Sequence, residues 1–320
     1  MSMPRPAPAS DRNAARVSDA PDFFLVGAPK CATSSLHMLL IRHGRIFMCS
    51  PKEPHFFCPD LPGLSEVADR AAYDALFADA PADALLGEAS AFYLMSAEAP
   101  AQIYAANPEA RIILSLRNPA DAARSLYHQL RDGFREDRPT FQEAWALQAD
   151  RARGQSLPPY CPEPRQLQYR EVYSYADQVA RYLEMFGPDQ VLVLRFEEIA
   201  QDPSGVVSRV LDFLDLPDFD EPVSLPRTNT RREPRFPGLS QFIAAPPFWI
   251  RPLVSPAKRV LNAIGIKPSV VMMNHLSRPA EPKTRTDTDT QFRAEIITEF
   301  SEDIARLEAL IGADLSAWRN

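Results

Sequence analysis

One short segment limits the folds open to this chain more than any other. Phe23-Phe24-Leu25-Val26 is an uninterrupted apolar run that stops at Gly27. Such a run reads as a strand buried on both faces. A turn follows, Ala28-Pro29-Lys30-Cys31-Ala32. Then come Thr33-Ser34-Ser35, and then Leu36, Leu39 and Leu40 on one face of a helix. A buried strand feeding straight into an amphipathic helix is the opening of a layered α/β domain.

Two more strands fit the same plan. Ile112-Ile113-Leu114-Ser115-Leu116 is halted by Arg117-Asn118-Pro119, and a helix starts at the proline. Val191-Leu192-Val193-Leu194 is preceded by a helix carrying Val179, Tyr182, Leu183 and Phe186 and closed by Gly187-Pro188. A helix after Asp202-Pro203 buries Val206, Val207, Val210, Leu211 and Leu214. A last one, near 288–311, puts Phe292, Ile296, Phe300, Ile304, Leu307 and Ile311 on one stripe. Strands separated by helices predict a parallel sheet covered on both faces.

The chain has 320 residues, enough for one large domain. Residues 1–21, rich in Pro, Ala and charge, read as a disordered arm. Residues 22–320 read as a single domain, with 236–286 as an irregular, basic and apolar appendage or lid. The net charge of −7 argues against non-specific nucleic-acid binding. It leaves room for a local basic pocket that holds a small anion. Cys31, Cys49, Cys58 and Cys161 show no CxxC spacing and read as reduced thiols. The first residues have no signal-peptide core, and no run of about eighteen apolar residues occurs, so a cytoplasmic location is expected. Aromatic and basic residues mixed through 236–275 leave three readings open. They are a peripheral contact with the inner membrane surface, an acceptor-site lid and a dimer contact.

The loop after the first strand carries the chemistry. A helix start presents unpaired N–H groups and partial positive charge, which attract phosphate. Thr33, Ser34 and Ser35 can cap the helix and donate to phosphate oxygens, and Lys30 adds a point charge. A nucleoside-triphosphate P-loop needs G-x-x-x-x-G-K-[ST]. Here Lys30 stands three positions before Thr33 and the second glycine is missing. Nor does the second strand end in an acidic residue for a metal; it ends in Arg117, which suits another anion. Ser125 and Tyr127 on the following helix are further hydroxyl donors. Two anion sites, one at each strand end, fit a nucleotide with phosphate at both ends.

FFLVGAPKCATSSLHMLLIRHGRIFMCSPKEPHFF resembles the amino-terminal signature of sulfotransferases that use 3′-phosphoadenosine 5′-phosphosulfate, in the bacterial and heparan-sulfate style. LSLRNPADAARSLYHQL resembles the family's 3′-phosphate signature, with Arg117 and Ser125 at its arginine and serine positions. GEASAFYLMS, YADQVARYLEMFGPDQVLVLRFEEIAQDP and DIARLEALIGADLSAW are similar to further family segments. The resemblance implies a P-loop-NTPase-like α/β fold, with the 5′-phosphosulfate held by Lys30, Cys31, Ala32, Thr33, Ser34 and Ser35. The product would be adenosine 3′,5′-bisphosphate, and no metal is called for. Two positions depart from the pattern. Ala32 stands where the family commonly has glycine, and Ala122 where it often has arginine, with Arg124 as a substitute on another helix face.

Ser50-Pro51-Lys52-Glu53-Pro54-His55-Phe56-Phe57 is the candidate catalytic segment. Pro54 pushes Glu53 toward extended backbone, and residues two apart on an extended segment face one side. Glu53 and His55 are then expected in one site. The bland reading pairs Glu53 with Lys52 on a surface loop and lets His55 pack. The resemblance makes Glu53 the general base, Lys30 the stabiliser of the leaving phosphate, and His55 an acceptor-orienting group or the base itself. Arg232 and Arg235, in the basic loop 229–235, are further donor-binding candidates. His37 and His43 read as packing or surface residues of the first helix. The acceptor is expected to be a hydroxyl or amine on a glycan, lipid headgroup or small metabolite, with a peptide also open. The competing readings are a P-loop-type nucleotide kinase or NTPase and a non-catalytic nucleotide-binding module.

Overall fold

A computed structural model describes residues 20–219, 232–234, 277–279 and 287–319. Five strands form one parallel sheet: β1 (Phe23–Gly27), β2 (Ile46–Met48), β3 (Leu85–Ala89), β4 (Arg111–Leu116) and β5 (Val191–Arg195), in the order β2-β3-β1-β4-β5. Alternate residues of β1 face opposite ways. Phe24 and Val26 join a core with Ile112, Leu114 and the helices Ala99–Ala106, Pro119–Asp132 and Tyr175–Phe186. Phe23 and Leu25 join a second core with Leu36, Leu39, Val207 and Val210. The sheet is therefore covered on both faces, as the sequence predicts.

β1 lies between β3 and β4, so the chain leaves the middle of the sheet in both directions. The crevice above the carboxyl ends of these strands is where such sheets bind ligands. Gly27 closes β1 with φ 146°, and a Cβ there would meet the Ala91 carbonyl oxygen at 2.4 Å. Only glycine lets the loop after β1 run this close to the segment after β3.

Strands β2 and β3 of this sheet are absent from the sequence reading. The long last helix is two helices, Asp287–Glu299 and Ser301–Ile311. The chain bends at Phe300, which is 1% exposed and packs against Trp145, while Ser301 Oγ donates to the Thr298 carbonyl. The apolar stripe survives the bend, since Ile296, Phe300, Ile304 and Leu307 are all buried. Asp303 of the second helix accepts from the main-chain N–H groups of Tyr175 and Ala176, at 2.7 and 3.1 Å. It thereby caps a helix 127 residues away in sequence with a charged acceptor.

The arm proposed for 1–21 lies outside the described residues except for its last two. Most of the appendage 236–286 does too, including all of 236–275. Within it, β7 (Ser277–Pro279) pairs antiparallel with β6 (Arg232–Pro234), and β6 runs beside the helix Pro119–Asp132. No described helix is long and apolar enough to cross a membrane.

Candidate active site

The loop after β1 is pinned from three sides. The Ala28 N–H donates to the Ser115 carbonyl at 2.7 Å, the Ser115 hydroxyl donates to the Cys31 carbonyl, and Tyr173 OH donates to the Pro29 carbonyl at 3.1 Å. Helix α1 (Thr33–Leu40) then begins with no side-chain cap. Ala32 takes the capping position, so none of Thr33, Ser34 and Ser35 stands there.

Ala32, the residue before α1, has φ 67° and ψ 11°, left-handed backbone. That conformation explains glycine in the family pattern, because an L-residue there costs about 1–2 kcal/mol. Ala32→Gly is expected to raise stability by up to about 1 kcal/mol, the relieved strain being partly offset by glycine's freedom in the unfolded chain. Urea unfolding measures it, and a loss of stability would contradict the strain argument.

Cys31 points its thiol into the core, 3.7 Å from Tyr175 OH, and burial pushes that thiol up to about 12. Lys30 is half-buried and makes no hydrogen bond or ion pair with a described residue. Burial holds its ammonium below the ordinary lysine range; Arg117 and Lys52 act the same way, and Cys31 and Glu53 oppose them. Arg117, at the end of β4, lies over the Phe196 ring at 4.3 Å and is in no ion pair with a described residue. Ser125 sits half-buried two turns along the helix that β4 feeds.

Other expectations for that helix are corrected. Tyr127 is buried and bonds the Arg138 carbonyl and Arg131, so it is a core residue and not a phosphate donor. Ala122 is 0% exposed, where an arginine would not fit, and Arg124 pairs with Asp289 at 3.1 Å. Arg232 stands on β6, and Arg235 lies outside the described residues.

The segment after β2 brings Glu53 and His55 together, but not for the expected reason. Glu53 and His55 have φ 63° and 49°, left-handed rather than extended backbone. Glu53 Oε2 nevertheless lies 3.8 Å from His55 Nε2, and the Glu53 carbonyl lies 3.0 Å from His55 Nδ1. Lys52 Nζ donates to Glu53 Oε1 at 3.1 Å and to Ser34 Oγ at 3.0 Å. Burial pushes the Glu53 carboxyl up, but Lys52, His55 and Lys30 outweigh it and hold the group below the ordinary glutamate range. Burial lowers His55 more than Glu53 raises it, and His55 Nε2 is buried without a hydrogen bond.

β3 supplies a support that sequence reasoning missed. Glu88, fully buried, accepts from Tyr73 OH at 2.9 Å and Tyr93 OH at 3.0 Å. Tyr93 OH accepts from the Phe57 N–H, and Ser90 Oγ accepts from the His55 N–H, each at 3.1 Å. Side chains at and after the end of β3 therefore grip the segment 53–57 by its backbone. His37, read as a packing or surface residue, is buried on α1 with Nδ1 unpaired. Burial and Lys52 press it down to about 4. His43 falls just past α1 and contacts the Pro217 carbonyl, a packing role.

Residues 20–232 match the model of the sulfotransferase domain. The chain belongs to the sulfotransferase family. A sulfotransferase from Alicyclobacillus acidocaldarius is 32% identical, with a TM-score of 0.65, over 94% of this chain and 99% of that one. The human bifunctional heparan sulfate N-deacetylase/N-sulfotransferase 3 is 29% identical over 200 residues, 61% of this chain. This sulfotransferase spans only 22% of that curated relative's length.

Proposed function

We propose that the protein transfers a sulfuryl group from 3′-phosphoadenosine 5′-phosphosulfate to a hydroxyl or amine of its acceptor. One observation carries the reading. Lys30 and Arg117 stand at the ends of adjacent strands with no carboxylate paired to either among the described residues, beside a helix start without a side-chain cap. Two cations so placed suit an anion at each strand end. A kinase or NTPase would instead need an acidic residue at such a strand end for its magnesium.

When bound, the donor supplies the sulfuryl group, whose S–O bond to the 5′-phosphate breaks as the bond to the acceptor oxygen or nitrogen forms. Glu53, held ionised at neutral pH by its cationic neighbours, takes the acceptor proton. Lys30 offsets charge gathering on the phosphate side. The main chain of 30–35, with the Thr33, Ser34 and Ser35 hydroxyls, holds the 5′ end. Arg117 and Ser125 hold the 3′-phosphate, with Arg232, on the β6 strand that runs beside the same helix, as a further candidate. His55, kept neutral by burial, orients the acceptor. The human relative's name includes heparan sulfate and N-sulfotransferase, which supports a glycan among the acceptors to test. Lipid headgroups and small metabolites complete that panel.

Adenosine 3′,5′-bisphosphate at 100 times its Kd is expected to stabilise the protein by about 2.7 kcal/mol in thermal denaturation. Arg117→Ala should weaken that binding by about tenfold or more, the loss of a charged hydrogen bond. Stabilisation by ATP with magnesium, but not by the bisphosphate, would overturn the reading. Unchanged affinity in Arg117→Ala would move the 3′-phosphate elsewhere.

A further inference from the structure

Lys52 enters the sequence reading only as a surface partner for Glu53. In the fold it does more. Its ammonium bridges Ser34, on the first turn of α1, and the Glu53 carboxylate, at 3.0 and 3.1 Å. Ser34 and Glu53 are 19 positions apart, one on a helix and one in a loop, and Lys52 is the one described side chain that bonds both. The lysine side chain is 19% exposed. An ammonium has three N–H donors, so these two contacts leave one for an anion on the loop.

We propose that Lys52 is a second cation of the reaction centre, which ties the anion-binding loop to the base and serves both. It rests on the reading of Glu53 as base. Lys52 is close enough to Lys30 to disfavour charge on it. Two lysines crowded in this way suit an arriving anion, which relieves their repulsion. On the other side, Lys52 fixes the Glu53 carboxylate by a charge-assisted hydrogen bond.

The charged and titratable groups facing Glu53 are Lys52 and His55 from its own segment, Lys30 from the loop after β1, His37 from α1 and Glu88 from β3. His55 and His37 are held below the ordinary histidine range, and Glu88 is itself held protonated to about 7. Without Lys52, Lys30 is the remaining lysine among them. Glu53 then keeps its proton to higher pH.

The experiment compares Lys52→Met and Lys52→Arg with Glu53→Gln. The Glu53 carboxyl is followed by ¹³C NMR titration, its resonance assigned by its absence in Glu53→Gln. Lys52→Met is expected to move the Glu53 midpoint up by about one pH unit or more. It should also weaken adenosine 3′,5′-bisphosphate binding, measured by calorimetry, by about tenfold. Lys52→Arg, which keeps the charge, should recover most of both. An unmoved midpoint, or unchanged bisphosphate affinity in a folded Lys52→Met protein, would overturn the proposal. Glu53→Gln turnover tests the base reading by itself, so failure there is distinguishable from failure of the Lys52 assignment.

Discussion

Glu53→Gln is expected to cut turnover by about 10²–10⁴-fold, with adenosine 3′,5′-bisphosphate bound as tightly as before or slightly more tightly. The assay uses the donor with the acceptor panel and detects the sulfated product by mass. Glutamine keeps the shape of the side chain and an oxygen for Lys52, so the loop geometry survives. What it loses is the ability to take a proton. The affinity expectation follows from charge. Glu53 faces Lys30 and Lys52, and removing its negative charge leaves a more positive loop for the bisphosphate. The ionised form is present at neutral pH because the carboxyl is held below the ordinary glutamate range against burial, with Lys52 the strongest opposing neighbour. His55 is the rival base. It is buried, lowered from the ordinary histidine range, and has an unpaired Nε2. Near-normal turnover of Glu53→Gln would transfer the role to His55.

The parts of this fold legible in the sequence are those whose burial is two-sided and long. β1, β4 and β5 are apolar runs flanked by clear breaks, and each is found within a residue or two of its predicted place. β2 escapes because Ile46–Met48 is three residues long. β3 escapes because Gly87 and Glu88 interrupt its apolar run. That interruption is the functional part of the strand, since Glu88 sits where a purely apolar pattern would place a core residue.

The site was legible as an inventory and less so as an arrangement. Glu53 and His55 are brought together as expected, yet by left-handed backbone that Pro54 alone does not dictate. Thr33, Ser34 and Ser35 were assigned as caps, whereas Ser34 is engaged by Lys52 from another loop. Ala32 was visible as a departure from a pattern, and its positive φ supplies the reason the pattern exists. In each case the residue type spoke to chemistry, while its partner came from a distant part of the chain.

Glu88 gives the second large expectation, a fall in stability as pH rises through the range between acid and neutral. Burial pushes its carboxyl from an ordinary 4.5 up to about 7; the hydroxyls of Ser90, Tyr73 and Tyr93 pull the other way, and Glu53 adds to the rise. The folded chain therefore keeps a proton that the unfolded chain gives up above pH 4.5. The unfolded state binds fewer protons throughout that window, so this contribution is fully present below the lower value. It is lost as pH passes the higher one. The gap corresponds to about 3 kcal/mol. Glu88→Gln carries no titrating proton, and its carbonyl still accepts from the two tyrosines. Urea unfolding from pH 5 to 8 should show the two proteins diverging, with the glutamine variant more stable at the alkaline end by up to that amount. Parallel curves would mean that Glu88 does not hold its proton in the fold. The divergence would also bear on the active site. Glu88 anchors Tyr93 and stands beside Ser90, and through them the backbone of Phe57 and His55. Glu53, already ionised in that window, resists the ionisation of Glu88, so the charge of the base helps its support keep its proton.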